Sequence, residues 1–179
     1  MIKNIAIVSL SSGTLGEDFA KHEVNIGVKR LKDFGMNVTF MPHALKGIEY
    51  VKNHPAERTA DLLQALKEPD IDMILCAIGG DDTYSLLPYL FEQNELAEAV
   101  SDKIFLGFSD TTINHFMLHK VGMKTFYGQS FLADICELDK TMLPYTQKYF
   151  EELINTGTIK EVCPSDVWYE GRTDFSIAQ

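Results

Sequence analysis

This chain has no excess of basic residues, few cysteines and no apolar run long enough to cross a membrane. Lysine and arginine together number 16, whereas aspartate and glutamate number 26, so the formal net charge is −10. Binding to nucleic acid or to anionic lipid requires basic side chains that neutralise phosphate groups. We therefore expect neither a nucleic-acid partner nor a membrane partner.

Cysteine motifs and targeting segments are equally sparse. The three cysteines, Cys76, Cys136 and Cys163, are far apart, and the sequence contains no C-x-x-C. Disulfide frameworks and zinc sites both need cysteines at paired spacings. The apolar stretch at residues 3–9 is much shorter than the about 20 residues of a membrane span, and it lacks the features of a signal peptide. These absences predict a cytoplasmic protein without a bound metal.

The apolar residues that are present follow two periodicities. Short continuous runs favour strands buried on both faces, and apolar residues three or four positions apart favour helices packed on a sheet. Strands are predicted at residues 3–9, 38–41, 73–78, 104–108 and 124–127, with further short strands at 159–163 and 167–169. Helices are predicted at 18–34, 55–67, 83–90 (limited by Pro88), 111–121 and 142–155, and a loop at 43–52. The alternation predicts an α/β domain with a mostly parallel sheet flanked by helices.

The strongest functional pattern is the sequence KIFLGFSDTTINHFM at residues 103–117. Its apolar strand ends at Gly107, and a helix begins directly after Ser109 and Asp110. A nucleophile elbow has this layout, because a serine on a sharp strand-to-helix turn exposes its hydroxyl above the sheet. Ser109 is therefore a candidate catalytic nucleophile, with the Asp110 N–H as a candidate oxyanion donor. Serine and aspartate are also common helix N-caps, so a purely structural turn is the alternative interpretation.

A second pattern, Gly79-Gly80-Asp81-Asp82, follows the apolar run MILCAI. Two glycines at the carboxyl end of a strand allow a ligand to approach the backbone closely. The Gly80 N–H is therefore a candidate second oxyanion donor, and a tight turn into the next helix is the alternative. The candidate substrate contacts around both turns are Gly79, Asp81 and Thr111.

The histidines offer no obvious base for Ser109. His115 and His119 lie four residues apart on the helix that runs away from the elbow, and the glutamate of a zinc-binding H-E-x-x-H is missing. The other three histidines lie in unrelated segments. A serine hydroxyl needs a base to become a good nucleophile, so we expect that base to come from elsewhere.

Four motifs in order give the chain a family resemblance. They are Ser-x-Ser-Ser at residues 9–12, Glu-Arg-Thr-Ala-Asp-Leu at 57–62, Ile-Gly-Gly-Asp-Asp-Thr-Tyr at 78–84, and Gly-Phe-Ser-Asp-Thr-Thr at 107–112 with Thr-Phe-Tyr-Gly at 125–128. With these motifs the chain resembles the LD-carboxypeptidase family of serine peptidases, which includes muramoyltetrapeptide carboxypeptidases and microcin C self-immunity hydrolases. The residues of the glycine motif resemble the microcin-immunity branch more closely than the murein branch.

The resemblance implies a Ser-Glu-His triad with Ser109 as nucleophile and backbone donors near Gly80 and Asp110. In that family the glutamate and histidine belong to a C-terminal domain, which would follow residue 179. Residues 1–163 would then form the N-terminal nucleophile-bearing domain, and residues 164–179 the start of an interdomain segment. The implied substrate is an LD-murein peptide or a peptidyl-nucleotide, cleaved at an amide next to a free carboxylate without a cofactor. We also expect a homodimer, and little activity from the isolated chain.

Two other function classes stay open. Gly-Gly-Asp also occurs in phosphotransferases, although Asp82 would repel phosphate and the sequence shows no basic residue near it. A domain that serves only binding or dimerisation is the other alternative. If a further domain docks on this chain, apolar side chains near Trp168 should be exposed.

Overall fold

The computed structural model describes residues 2–176, and its centre is a five-stranded sheet. The strands are β1 (Asn4–Val8), β2 (Asn37–Phe40), β3 (Met73–Cys76), β4 (Ile104–Gly107) and β5 (Phe126–Tyr127). Every pairing is parallel, and the order across the sheet is β2-β1-β3-β4-β5. The predicted parallel α/β fold is confirmed.

Seven α-helices accompany the sheet in the described residues, together with short 3-10 turns and one π-helical turn at Phe131–Ile135. The α-helices are α1 (Lys21–Asp33), α2 (Ile48–Asn53), α3 (Pro55–Lys67), α4 (Leu87–Phe91), α5 (Glu95–Ala99), α6 (Thr112–Lys120) and α7 (Pro144–Thr156).

The central strands are apolar at nearly every position, Asn4 at the start of β1 being polar, because both faces of the sheet are covered. In β1, Ile5 and Ile7 belong to the core shared with α1 and α7, whereas Ala6 and Val8 belong to the core shared with α3 and α6. Successive side chains of a strand point to opposite faces, so a strand with helices on both sides needs an unbroken apolar run.

Several predicted boundaries are wrong. The predicted loop at 43–52 contains most of α2, and α5 was not predicted. Pro88 lies in the first turn of α4, where its missing N–H costs nothing, so it starts a helix and does not limit one.

No strand forms at 159–163 or at 167–169. The Lys160 N–H donates to Glu152 at 2.8 Å, and the Cys163 N–H donates to the Tyr149 hydroxyl at 2.7 Å. These backbone groups are therefore satisfied by side chains of α7 and not by a sheet ladder.

Candidate active site

Ser109 lies at the carboxyl end of β4 on the predicted strand-to-helix elbow. Phe108 is extended, Ser109 has a φ of 63°, and a 3-10 turn over Ser109–Thr111 leads into α6. A positive φ is unusual for serine, because the left-handed region crowds its Cβ. The backbone at Ser109 is therefore strained, and the residue is exposed above the sheet, as the elbow layout predicts.

Gly107 is required at the elbow by packing. A Cβ at this position would lie 2.8 Å from the Sγ of Cys76 and 2.8 Å from the Oγ1 of Thr111. Both neighbours are buried, so neither can move aside easily. Burial also raises the pKa of the Cys76 thiol to about 12, so this cysteine stays protonated and is not a competing nucleophile.

The Gly79-Gly80 turn follows β3, the parallel neighbour of β4, and meets the elbow directly. A Cβ on Gly79 would lie 2.7 Å from the Cβ of Ser109, 2.8 Å from its Oγ and 3.4 Å from the backbone nitrogen of Asp110. A Cβ on Gly80 would lie 2.3 Å from the Oγ of Ser11. Neither glycine has a positive φ, so glycine is needed here for close approach. The turn and the nucleophile therefore lie together at the carboxyl ends of neighbouring strands, as an oxyanion hole would need.

The hydroxyl of Tyr127, at the end of β5, accepts a hydrogen bond from the backbone N–H of Ser109 at 3.2 Å. Hydrogen bonds from Thr112 and Ser109 lower the pKa of the Tyr127 phenol. Because this bond occupies the N–H of the nucleophile itself, the N–H of Asp110 is the better oxyanion donor on the elbow. Nothing in the sequence gave Tyr127 this role, although it lies in the Thr-Phe-Tyr-Gly motif.

The side chain of Asp110 joins the elbow to two other segments. Its carboxylate accepts hydrogen bonds from the hydroxyl of Ser11 and from the backbone N–H of Thr83, the latter at 3.0 Å. Thr83 also donates its hydroxyl to the carbonyl of Leu10 at 2.9 Å. The loops after β1 and β3 are thus tied to the residue that follows the nucleophile.

His115 contacts the backbone of the strand that leads into the elbow and is not a base for Ser109. Its Nε2 lies 3.0 Å from the carbonyl oxygen of Gly107, and its Nδ1 lies 2.8 Å from the Oγ1 of Thr125. A carbonyl only accepts, so Nε2 carries the proton and Nδ1 accepts from the threonine. Burial lowers the pKa of His115 and favours this neutral form. Both ring nitrogens are therefore occupied.

Arg58 on α3 contacts the Gly-Gly-Asp-Asp turn, a contact that the sequence did not predict. Its guanidinium is buried and pairs with both carboxylate oxygens of Asp82, at 2.9 and 3.2 Å. The expectation that no basic residue lies near the Gly-Gly-Asp-Asp turn is therefore wrong. Arg58 belongs to the quoted motif at 57–62, but an arginine on a helix gives no sequence signal of being buried.

The predicted substrate contacts differ in accessibility. Asp81 is exposed and Gly79 is partly exposed beside Ser109, so a ligand can reach both. Thr111 is fully buried, and its hydroxyl donates to the carbonyl of Phe108 at 2.7 Å. Its assignment as a substrate contact is corrected: Thr111 stabilises the turn.

Neither a metal cluster nor a membrane-spanning helix is found in residues 2–176. No group of three or more histidine, cysteine, aspartate or glutamate side chains could hold a metal there, and no helix in that range is long and apolar enough to cross a bilayer. Apolar side chains are exposed along residues 162–175, and Trp168 is 80% accessible, as expected near this segment.

Comparison with known proteins places this site in a family. The family model described as LD-carboxypeptidase N-terminal domain matches residues 5–128, a range that includes every motif described above. The chain belongs to the LD-carboxypeptidase family. The family match thus covers both turns of the candidate site as well as the sheet that carries them.

Individual relatives agree with this assignment. The Bacillus subtilis (strain 168) protein YocD is 29% identical over 170 residues, which cover 94% of this chain and 50% of YocD. The microcin C7 self-immunity protein MccF of Escherichia coli is 37% identical over 82 residues, 45% of this chain and 23% of MccF. The crystal structure of an MccF-like protein from Streptococcus pneumoniae in complex with AMP has 66% identity and a TM-score of 0.97, covering 98% of this chain and 51% of that one. The chain thus spans about half the length of YocD and of the streptococcal protein.

Proposed function

We propose that this chain is the nucleophile-bearing half of a serine hydrolase that cleaves an amide next to a free carboxylate. The observation that carries the proposal is the geometry at Ser109, whose strained, exposed turn lies in contact with the Gly79-Gly80 turn. A structural helix cap needs neither a positive φ nor a neighbouring glycine turn. Family membership supports the same reaction class.

The reaction would proceed through an acyl-enzyme. The Oγ of Ser109 attacks the amide carbonyl carbon while a histidine takes its proton, and the N–H groups of Gly80 and Asp110 stabilise the oxyanion. The histidine then protonates the leaving amine as the C–N bond breaks. Water hydrolyses the acyl ester and regenerates the serine. In the described residues no backbone or side-chain acceptor pairs with the Gly80 N–H, which supports its role as a donor.

The histidine and glutamate of the triad would come from residues outside these 179. No histidine of the described residues makes a hydrogen bond to Ser109, and His115, on the helix after it, has both ring nitrogens occupied. The chain also covers only about half of its relatives. We propose that residues 1–163 form the nucleophile domain and that 164–179 begin the connection to the second half. Nearly all of residues 164–176 are exposed and without helix or strand, which supports this division.

The substrate would be a peptidyl-nucleotide or an LD-linked murein peptide. The streptococcal relative is an MccF-like protein in complex with AMP, which favours the peptidyl-nucleotide. The formal net charge of this chain is −10, so it offers no general electrostatic attraction for anionic substrates. Recognition would therefore depend on specific contacts near Ser109. A homodimer is part of the proposal and follows from the family resemblance alone.

Hydrolysis assays on the longer protein that we propose contains this chain test the function. It should cleave a peptidyl-adenylate or an LD-peptide, and Ser109→Ala should lower kcat by about 10⁴-fold or more, because no other group can form the acyl-enzyme. Ser101→Ala is the matched control: Ser101 precedes the opposite end of β4, and its hydroxyl has no hydrogen-bond partner in residues 2–176. The isolated chain should be nearly inactive. Full activity of Ser109→Ala would overturn the proposal, and strong hydrolysis by the isolated chain would refute the external base.

A further inference from the structure

The guanidinium of Arg58 connects three segments that surround the candidate oxyanion hole. Its Nη1 donates to the carbonyl of Leu10 at 3.0 Å and to Asp82 at 2.9 Å. Its Nη2 donates to Asp82 at 3.2 Å and to the Oγ of Ser85 at 2.8 Å. Arg58 itself is 1% exposed. The buried guanidinium therefore links α3 by hydrogen bonds to the loop after β1 and to the turn after Gly80.

This ion pair is costly to bury. Two charges that are removed from water lose hydration free energy, and their mutual attraction often does not offset that loss. Hydrophobic residues in place of a buried ion pair can therefore give a protein of equal stability. Here the Nε of Arg58 also lacks a hydrogen-bond partner among the described residues. Net stability is therefore not sufficient reason for such a pair, and its geometry also fixes where its neighbours lie.

Those neighbours converge on Gly80 from both sides. Ser11, whose preceding residue Leu10 is held by Arg58, packs against Gly80 so closely that a Cβ there would lie 2.3 Å from its Oγ. Asp82, held by the same guanidinium, is two residues after Gly80 and directly precedes Thr83, whose N–H is bound by Asp110. The position of the Gly80 N–H therefore depends on Ser11 and Asp82, and the segments of both are held by Arg58.

We propose that Arg58 is a positioning residue that fixes the Gly80 oxyanion donor relative to Ser109. The inference rests on the proposed hydrolase function. An oxyanion donor must lie about 3 Å from the developing charge, and a misplacement of about 1 Å can cost up to 10²-fold in rate. Lysine cannot replace the planar guanidinium that holds Asp82 and Leu10 together, because its three N–H donors diverge from one nitrogen and cannot form the paired bonds to a carboxylate.

The test compares Arg58→Lys with unmodified longer protein, using a fluorophosphonate probe that forms a tetrahedral adduct on serine. Labelling of Ser109 should show a maximal rate constant that is lower by about tenfold, with the probe's half-saturation concentration changed by less than about twofold. The matched control is Arg30→Lys. Arg30 also binds backbone carbonyls, those of Ile135, Glu137 and Asp139, and none of these three bonds involves the elbow or the Gly79-Gly80 turn. It should lower the melting temperature without changing the maximal labelling rate.

The outcomes separate the two proposals. If unmodified protein is labelled at Ser109 and Arg58→Lys reacts at the same maximal rate, the positioning role is refuted while the hydrolase proposal stands. If unmodified protein is not labelled, both fall. Should Arg58→Lys fail to fold, Asp82→Asn replaces it, because it removes the charge partner while keeping the side-chain size. A slower maximal rate in Asp82→Asn supports the positioning role, and an unchanged rate overturns it.

Discussion

Ser109 is held in a conformation that serine rarely adopts. Its φ of 63° is maintained by the Tyr127 hydroxyl on its N–H and by the Thr112 hydroxyl on its carbonyl. Residues in such sparsely populated regions cost about 1–3 kcal/mol and persist only when their surroundings fix them. The Gly-x-Ser-Asp pattern indicated a sharp turn at Ser109. Tyr127 and Thr112, which hold the turn, lie in the quoted motifs, but the motifs alone did not indicate these hydrogen bonds.

Replacement of Ser109 by glycine should therefore stabilise the fold. Glycine adopts a positive φ without a Cβ clash, so Ser109→Gly should raise the free energy of unfolding by about 1 kcal/mol while removing the nucleophile. Chemical denaturation measures this change. Asn94→Gly is the matched control, because Asn94 has a φ of 67° but asparagine tolerates that region better. An equal gain in both variants, or a loss in Ser109→Gly, would contradict the assignment of strain.

At the scale of elements, the sequence predicted β3 and β4 because both runs are apolar and lead into glycine-containing turns. It failed for α2 and α5, of six and five residues, since such short helices carry too little periodicity to recognise. It also missed the Arg58 network. That network joins α3 to residues 24 positions away and beyond, and no local pattern encodes such a contact.

The π-helical turn at Phe131–Ile135 provides an element-scale prediction. Asp134 accepts a hydrogen bond from the Ser130 N–H at 2.7 Å, and burial raises its pKa to about 6. A pKa raised above the unfolded value gives stability that is full below the unfolded pKa and is lost as pH rises through about 6. Asp134→Asn should therefore stabilise the protein more at about pH 7.5 than at about pH 4, because the amide carries no charge to bury.

Thermal unfolding at both pH values measures this difference. Asp18→Asn is the control with the opposite sign, since Lys21 lowers the pKa of the exposed Asp18 carboxyl and its charge is favourable at neutral pH. A pH-independent effect of Asp134→Asn would show that this carboxyl does not titrate abnormally.

At the scale of the whole molecule, the candidate site lies at the carboxyl ends of the central strands and is accessible to solvent. Ser109, Gly80 and Asp81 are all exposed there. Residues 162–175 expose several apolar side chains, including Trp168 and Tyr169. Large exposed apolar surface often marks an interface, which agrees with a second half supplying the base.

Covalent labelling shows directly whether Ser109 is the activated nucleophile. The longer protein should be incubated with a fluorophosphonate probe, digested, and mapped by mass spectrometry. We expect a single labelled peptide that contains Ser109 and is absent in the Ser109→Ala variant, because only a serine with a base and an oxyanion hole reacts rapidly. A label on a different serine, or an intact protein that takes up no label, would show that Ser109 is not the nucleophile.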